Sequence, residues 1–188
     1  AKLAEVEQLV ANLEAKETED SATGLLNRRS SASIFEKEVA RAKYCGYDLS
    51  VAVIDLDLNK RSPDLYGSAS GDAIIKTVAQ AIKANARPID VIGRWGVDEF
   101  VVCMPHVSAD EAFRIVDSTR KRVNEALMNL GKALPKQDDL WYPQTASVGI
   151  AAMAEDRQTF DTLFAASQLS LADAQSAGGN VVKANKSA

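Results

Sequence analysis

Hydrophobic residues along this chain recur at two spacings, one typical of helices and one typical of strands. Apolar positions three and four residues apart predict helices over residues 31–42, 72–85, 110–129 and 159–177. Runs rich in β-branched and aromatic residues predict strands over residues 49–55, 91–95, 99–104 and 144–153. Because helices and strands alternate along the chain, the pattern predicts a mixed α/β domain.

Residues 1–19 are predicted to form a separate helical stalk ahead of one globular domain over residues 20–188. An apolar stripe with coiled-coil spacing runs through the stalk: Leu3, Val6, Val10 and Leu13. The stripe covers barely two heptads, which is marginal for an isolated helix. Two interpretations stay open: a helix packed on its own domain, or the end of a signalling helix that pairs two domains.

Composition excludes several classes of function. The 188 residues are 46% hydrophobic, enough to bury a core without metals or disulfides. The net charge of −4 argues against a nucleic-acid or anionic-membrane surface that works by bulk charge. Cys45 and Cys103 lack C-x-x-C spacing and are predicted to be reduced core thiols. Without a signal peptide or a membrane-length apolar run, we expect a cytoplasmic domain, alone or as part of a longer protein.

The first candidate functional residues end the strand predicted over residues 49–55. Asp55 and Asp57 are two positions apart, so their side chains point to the same face of an extended chain. Such carboxylates repel each other unless a cation neutralises them, and Mg²⁺ takes one or two carboxylates together with substrate phosphates. The other interpretation is an exposed strand end with two solvated acids.

A second acidic pair follows a predicted turn. Gly96 lies between two predicted strands where a hairpin would reverse, and Asp98 and Glu99 then stand at the start of the second strand. Carboxylates also decorate solvated turns, so this pair alone is weak evidence. Two acidic strand ends separated by one helix favour a metal-dependent phosphoryl-transfer site.

Several motifs resemble, in order, those of one known family. The main ones are D-S-A-T-G-L-L-N-R-R from Asp20, D-L-D from Asp55 with G-D at Gly71, R-W-G-V-D-E-F from Arg94 and T-A-S-V-G-I-A from Thr145. They resemble the GGDEF domain, the family of diguanylate cyclases that join two GTP molecules into cyclic di-GMP. The resemblance runs from about residue 20 to residue 183. It implies a nucleotidyl-cyclase-like fold with a central, mostly antiparallel sheet flanked by helices.

The resemblance also implies three sets of site residues. The implied Mg²⁺ ligands are Asp55, the Leu56 carbonyl and Asp98. The implied catalytic residues are Asp98, Glu99 and Lys60. The implied nucleotide-binding residues are Asp72 and Asp64.

Departures from the family pattern occur on the nucleotide side. Pro63 stands where the family has a guanine-binding Asn, and Ser68 stands where it has His. Proline offers neither a side-chain hydrogen bond nor a backbone N–H, so base recognition loses a partner. Gln175 and Gly179 replace a Lys and an Arg that face the GTP phosphates. Because phosphoryl transfer depends on such charges, we expect cyclase activity to be reduced by several orders of magnitude.

Val97 replaces the second glycine of the family signature. That glycine lets the turn adopt a positive φ and approach the ligand, a conformation that β-branched residues resist. The sequence therefore predicts a steric obstacle at the turn, with Asp98, Glu99 and Lys60 as a vestige of the catalytic site.

A motif separated from Gly96 by five residues is retained. Arg87-Pro-Ile-Asp90 resembles the family's R-x-x-D inhibitory site, which binds cyclic di-GMP. An Arg fork pairs with guanine O6 and N7, and a carboxylate accepts from a guanine N–H. As letters alone, R-x-x-D is weak evidence and favours the simpler interpretation of a helix-end Arg before a strand-start Asp. The family further implies that an Arg of the helix over residues 110–129, with Arg122 as the candidate, completes the site across a dimer.

Three functions are compatible with these residues. The first is a degenerate GGDEF domain that binds cyclic di-GMP through R-x-x-D as a receptor or regulatory module. The second is a diguanylate cyclase that uses Mg²⁺ and two GTP molecules, and the third is a GTP-sensing or structural module that regulates a partner domain. The expected partners are cyclic di-GMP, GTP and a second copy of the chain, paired through the N-terminal helix or across the inhibitory site.

Overall fold

The computed structural model describes residues 2–3, 17–57, 69–133 and 145–185. Within these ranges the long helices are α1 (Arg28–Cys45), α2 (Ala69–Asn85), α3 (Ala109–Ala133) and α4 (Phe160–Ser176). The strands are β1 (Leu49–Asp57), β2 (Val91–Arg94), β3 (Glu99–Pro105), β4 (Thr145–Ala152) and β5 (Val182–Ala184). The four helices and four strands that the hydrophobic spacing predicts between residues 31 and 177 are present, with ends shifted by a few residues.

The strands form one five-stranded sheet in the order β2-β3-β1-β4-β5. The pairs β2–β3, β3–β1 and β1–β4 are antiparallel, and β5 runs parallel to β4. Together with the helices on both faces, this sheet confirms the predicted α/β fold. The hydrophobic pattern does not predict β5, because a strand of three residues is too short to show a period.

β1 lies in the middle of the sheet and separates two hydrophobic cores. Side chains on one of its faces pack with α2 and α3: Ala52, Ile54 and Leu56. Side chains on the other face pack with α1 and α4: Leu49, Val51 and Val53. Because β1 is buried along nearly its whole length, the carboxylates at its end emerge directly from the apolar interior.

Local sequence signals set the ends of α1 and the start of α4. The Asn27 side chain accepts a hydrogen bond from the Ser30 amide at the start of α1, and Gly46 ends that helix in the left-handed region at φ 73. Thr159 and Thr162 form a reciprocal capping box at the start of α4. These caps satisfy backbone groups that the ends of a helix leave unpaired.

The helix α4 rests directly on the backbone of β4 at Gly149. A Cβ atom at Gly149 would lie 2.0 Å from the Ser167 carbonyl oxygen and 2.3 Å from the Leu171 amide nitrogen. Two buried serines of α4 add hydrogen bonds to the sheet, from Ser167 to the Val51 carbonyl and from Ser170 to the Ile150 carbonyl, each at 3.1 Å. The position of α4 over the sheet is therefore closely fixed.

One prediction about the core is wrong, and several predicted features lie outside the described residues. Cys103 is buried as expected, but Cys45 is exposed because it ends α1. The features outside the described ranges are Val6, Val10, Leu13, Lys60, Pro63, Asp64 and Ser68. The division into a stalk and a domain therefore stays a prediction. Among the described residues, no helix is both long and apolar enough to cross a membrane.

The contact at Gly149 gives a stability prediction. We expect Gly149→Ala to lower the free energy of unfolding by about 3 kcal/mol or more, because the added methyl group meets backbone atoms that cannot rotate away. Gly46→Ala is the control: the space around it is open, so only the left-handed backbone is strained, at a cost of about 1 kcal/mol. Urea unfolding of both variants measures the difference, and equal losses would contradict the close packing of α4.

Candidate functional site

Four acidic residues meet where β1 ends beside the turn between β2 and β3. Asp55 of β1 lies opposite Glu99 of β3 in the antiparallel register. The Leu56 amide donates to the Asp98 carbonyl at 3.3 Å, and Asp57 lies two residues beyond Asp55. The structure therefore joins the two acidic pairs that the sequence indicates, although α2 and β2 separate them along the chain.

Burial and mutual repulsion control the ionisation of Asp55. Burial raises the pKa of Asp55 most, and the negative charges of the three neighbouring acids add to the effect, so that this pKa is about 7. A hydrogen bond from Gln175 opposes the change only in part. Burial likewise raises the pKa of Glu99, against an opposing hydrogen bond from Gln168. At neutral pH, Asp55 is therefore close to half ionised.

Asp57 has a different environment. Its Oδ1 accepts from the Ser147 hydroxyl at 2.6 Å. Its Oδ2 accepts from the Thr145 hydroxyl at 2.7 Å and from the Asn180 backbone N–H at 2.8 Å. Asn180 adopts φ 55, a left-handed conformation that asparagine tolerates. These donors fix the carboxylate, so Asp57 connects β1 to β4 and to the segment before β5.

The Arg94 side chain hydrogen-bonds the turn between β2 and β3. Its Nη2 donates to the Val97 carbonyl at 2.7 Å and its Nε to the Gly96 carbonyl at 3.2 Å. Its Nη1 donates to both oxygens of Asp20, at 3.1 and 3.2 Å. Burial raises the pKa of Asp20, but hydrogen bonds from Thr23 and Arg94 outweigh it and the net change is downward. Arg94 thus connects Asp20, which precedes α1, to the turn that carries Asp98.

The backbone strain predicted at Val97 is not found, and its obstruction of a ligand stays a prediction. Val97 is 55% exposed, and its φ lies outside the left-handed region, as do all described non-glycine residues except His106 and Asn180. The turn reverses instead through hydrogen bonds from the Trp95 and Gly96 amides to the Glu99 carbonyl, at 2.8 and 3.1 Å. A β-branched residue is therefore accommodated without backbone strain.

Two glutamines of α4 reach the acidic cluster. Gln175 Nε2 donates to Asp55 Oδ2 at 2.6 Å, and Gln168 Nε2 donates to Glu99 Oε1. Gly179 lies against Asp57, since a Cβ atom there would be 3.0 Å from the carboxyl carbon. Gln175 and Gly179, which the sequence associates with the phosphates, thus lie beside the β1 carboxylates.

The donor atoms at this end of the sheet suit a hard divalent cation. Asp55, the Leu56 carbonyl and Asp98 would supply oxygens; burial first, and then the neighbouring negative charges, raise the pKa of Asp55. In the part of the chain that the structure describes, no group of three or more His, Cys, Asp or Glu side chains is arranged to hold a metal ion. Mg²⁺ would therefore be held by two carboxylates, a backbone carbonyl, and water or phosphate oxygens, and it would supply charge neutralisation and Lewis acidity.

Arg87 and Asp90 form a close ion pair between α2 and β2. Arg87 Nη2 donates to Asp90 Oδ1 at 2.6 Å and to the Pro105 carbonyl at 2.8 Å, and Arg87 Nε donates to Asp90 Oδ1 at 3.1 Å. The Arg87 amide donates to Asp90 Oδ2 at 2.8 Å. The Asp90 side chain is 1% exposed and the Arg87 side chain 31%. Asp90 therefore orients the guanidinium, and its own side chain is closed to solvent; that it accepts from a guanine stays a prediction.

The remaining predicted residues are dispersed. Arg122 is exposed on α3, as is Arg114, whereas Arg120 of that helix bonds Asp117 and Asn180. Asp72 is exposed in the first turn of α2. The sequence reasoning missed the contacts of Gln168 and the pairing of Asp20 with Arg94. For Gln168, the only signal was its position seven residues before Gln175 on a predicted helix.

Comparison with known proteins agrees with this geometry. Residues 17–181 match the family described as "Diguanylate cyclase, GGDEF domain". The chain is 31% identical over 182 residues to the diguanylate cyclase DgcM of Escherichia coli, covering 97% of this chain and 42% of DgcM. It is 40% identical over 106 residues to the diguanylate cyclase DosC of Escherichia coli, covering 56% of this chain and 23% of DosC. The chain thus spans less than half the length of these curated relatives.

Solved structures show the same fold. The coiled coil and GGDEF domain of DgcB from Caulobacter crescentus, in complex with c-di-GMP, is 26% identical with a TM-score of 0.81. That comparison covers 97% of this chain and 95% of DgcB's. The DgcB GGDEF domain alone, also with c-di-GMP, has a TM-score of 0.79 at 25% identity, covering 91% of this chain and 94% of that one.

The raised pKa of Asp55 gives a pH prediction. Because the fold raises this pKa from 3.8 to about 7, the folded state binds the Asp55 proton more tightly than the unfolded state does. The contribution of Asp55 to the free energy of unfolding is therefore full below pH 4 and is lost as the pH rises through 7. We therefore expect Asp55→Asn to gain stability relative to the natural protein between pH 5 and pH 8. The gain should be about 1–2 kcal/mol, after allowance for solvent screening of this partly exposed carboxyl. Urea unfolding at both pH values measures it, and a difference independent of pH would refute the assignment.

Proposed function

Because the chain belongs to the GGDEF family of diguanylate cyclase domains, we propose that it is a regulatory member that binds cyclic di-GMP at Arg87 and has little or no cyclase activity. The observation that carries this proposal is the ion pair of Arg87 and Asp90. A buried carboxylate holds the guanidinium in one orientation at a partly exposed site. Binding then requires little loss of side-chain entropy, because the arginine is already ordered.

The guanidinium has donors available for a ligand. Nε and Nη2 of Arg87 are engaged by Asp90 and the Pro105 carbonyl, but Nη1 donates no hydrogen bond to any described residue. The two N–H groups of Nη1 and the planar face of the guanidinium are therefore available to a ligand. Guanine offers O6 and N7 as acceptors and a flat ring for stacking. The c-di-GMP complexes of DgcB, which shares this fold at 25 and 26% identity, support the choice of ligand.

Within this proposal, Asp90 acts through Arg87 and not on the ligand itself. Its carboxylate oxygens already accept from the Arg87 amide and side chain. We therefore assign Asp90 as a positioning residue and Arg87 as the contact to the base. Arg122, exposed on α3, stays the candidate for completing the site from a second copy of the chain.

The low cyclase activity rests on charges missing from the acidic end. An active site for GTP has to stabilise several phosphate charges. Gln175 contributes a neutral amide bonded to Asp55, and Gly179 contributes no side chain beside Asp57. Pro63 lies outside the described residues and stands where the family has a base-binding Asn, so that side chain is missing as well.

One observation favours a second candidate, an active diguanylate cyclase. Asp55 and Asp98 are brought together with oxygens suited to Mg²⁺, next to Glu99, as catalysis would require. A third candidate, a GTP-sensing module, would bind GTP at the same acidic end of the sheet without turnover. The two alternatives differ from the first in their ligand, so binding and turnover measurements separate all three.

Calorimetric titration with cyclic di-GMP tests the receptor function. We expect binding by the natural protein and an affinity loss of at least tenfold in Arg87→Ala, because a charged hydrogen bond contributes about 1.5–3 kcal/mol. Arg114→Ala is the matched control, an exposed arginine of α3 that should bind as the natural protein does. The receptor proposal is abandoned if cyclic di-GMP gives no heat, or if Arg87→Ala binds as tightly as the control.

Turnover of GTP with Mg²⁺ tests the loss of catalysis. Typical enzymes turn over about 1–1000 times per second, and we expect product formation several orders of magnitude slower. Chromatography of the nucleotides after incubation measures cyclic di-GMP directly. Conversion at an ordinary enzymatic rate would establish the second candidate in place of the first.

A further inference from the structure

The end of the sheet that carries Asp55 is closed by an amide from α4. We infer that Gln175 competes with a divalent cation for Asp55, and so acts as a specificity-determining residue that weakens cation binding in this chain. The inference rests on the proposed function in one respect, since it takes the acidic cluster as the place where the family's Mg²⁺ would bind. It concerns a residue whose role neither the family match nor the relatives assign.

The two glutamines reach the cluster from one face of α4. Gln168 and Gln175 are seven residues apart, which on an α-helix is about two turns, so both side chains leave from the same face. Their acceptors, Glu99 and Asp55, are direct partners across the β1–β3 pairing. The helix thus presents one amide donor to each of two adjacent carboxylates.

The helix α4, which carries the two amide donors, is held firmly on the sheet. From Ser167 to Leu171, beside Gln168 and one turn before Gln175, the α4 backbone touches Gly149 of β4, and Ser167 and Ser170 bond the sheet. The helix cannot move off the sheet without breaking these contacts. Displacement of Gln175 from Asp55 therefore has to come from rotation of its own side chain, which is exposed and free to turn.

An amide and a cation compete for one oxygen of Asp55. The amide N–H uses a lone pair of Oδ2, and the same oxygen is one of the few that a cation can bind at this site. A neutral amide satisfies hydrogen bonding but does not cancel charge, so a cation still gains from the cluster. The net affinity is therefore reduced by the free energy of the hydrogen bond that has to be broken.

Gln168 provides an internal comparison. It makes the same type of bond from the same face of α4, but to Glu99, which is not among the oxygens assigned to the cation. Removing it should leave the Asp55 oxygens as they are. Any difference between the two glutamines then reports on Asp55 and not on the general packing of α4.

Binding of Mn²⁺ to the natural protein and three variants tests the inference. The electron paramagnetic resonance signal of free Mn²⁺ gives the affinity without reference to activity, and Mg²⁺ added as competitor gives its affinity at the same site. We expect Gln175→Ala to bind Mn²⁺ about three- to tenfold more tightly, since one net hydrogen bond no longer opposes it. Gln168→Ala should stay within about twofold of the natural protein, and Gln175→Lys should bind less tightly, because it brings a positive charge to the same carboxylate.

The outcomes are distinct from those of the cyclic di-GMP test. Equal or weaker Mn²⁺ binding by Gln175→Ala, equal gains in both alanine variants, or no measurable binding in any protein would each overturn the inference. Cyclic di-GMP binding by Gln175→Ala should match the natural protein, because Arg87 lies at the opposite end of β2 from the turn. If that binding persists while the Mn²⁺ affinities are unchanged, the receptor function stands and the role of Gln175 is lost.

Discussion

The concentration of carboxylates at the end of the central strand is the constraint around which this end of the molecule is organised. β1 passes through the apolar interior and ends in Asp55 and Asp57, next to Asp98 and Glu99. Negative charges near low-dielectric surroundings repel strongly, so each needs donors. β4 and the segment before β5 supply them to Asp57, and α4 supplies one each to Asp55 and Glu99. These donors are neutral groups, and the positive charge of Arg28 partly offsets the rise in the pKa of Glu99.

The edge strand β2 lies between two arginine–aspartate pairs. Arg87 and Asp90 precede it, whereas Arg94 ends it and bonds Asp20. β2 has four residues, so about 13 Å of chain joins the side proposed for cyclic di-GMP to the turn that carries Asp98. β2 is an edge strand that pairs with β3 on one side and forms a parallel bridge between Gly93 and Leu26 on the other, and the two ion pairs add contacts at its ends.

Local patterns predict most of this fold, and their failures have physical causes. Hydrophobic spacing predicts all four long helices and four of the five strands, because one buried face per element requires it. The backbone strain expected at Val97 is absent, since the turn is closed by amides donating to the Glu99 carbonyl and needs no left-handed residue. Cys45 is exposed although its neighbours are helical, because helical spacing alone does not say where α1 stops facing the core.

The sequence by itself determined the elements, the acidic pairs and the family, since these depend on residues close together in the chain. Only the tertiary structure decided which groups meet. Gln175 donates to a carboxylate 120 residues away, and nothing in the local pattern of α4 specifies that partner. The Asp90 side chain is closed to solvent, with its oxygens bonded to the Arg87 amide and guanidinium. Such contacts depend on how the elements pack, which a pattern along one element does not contain.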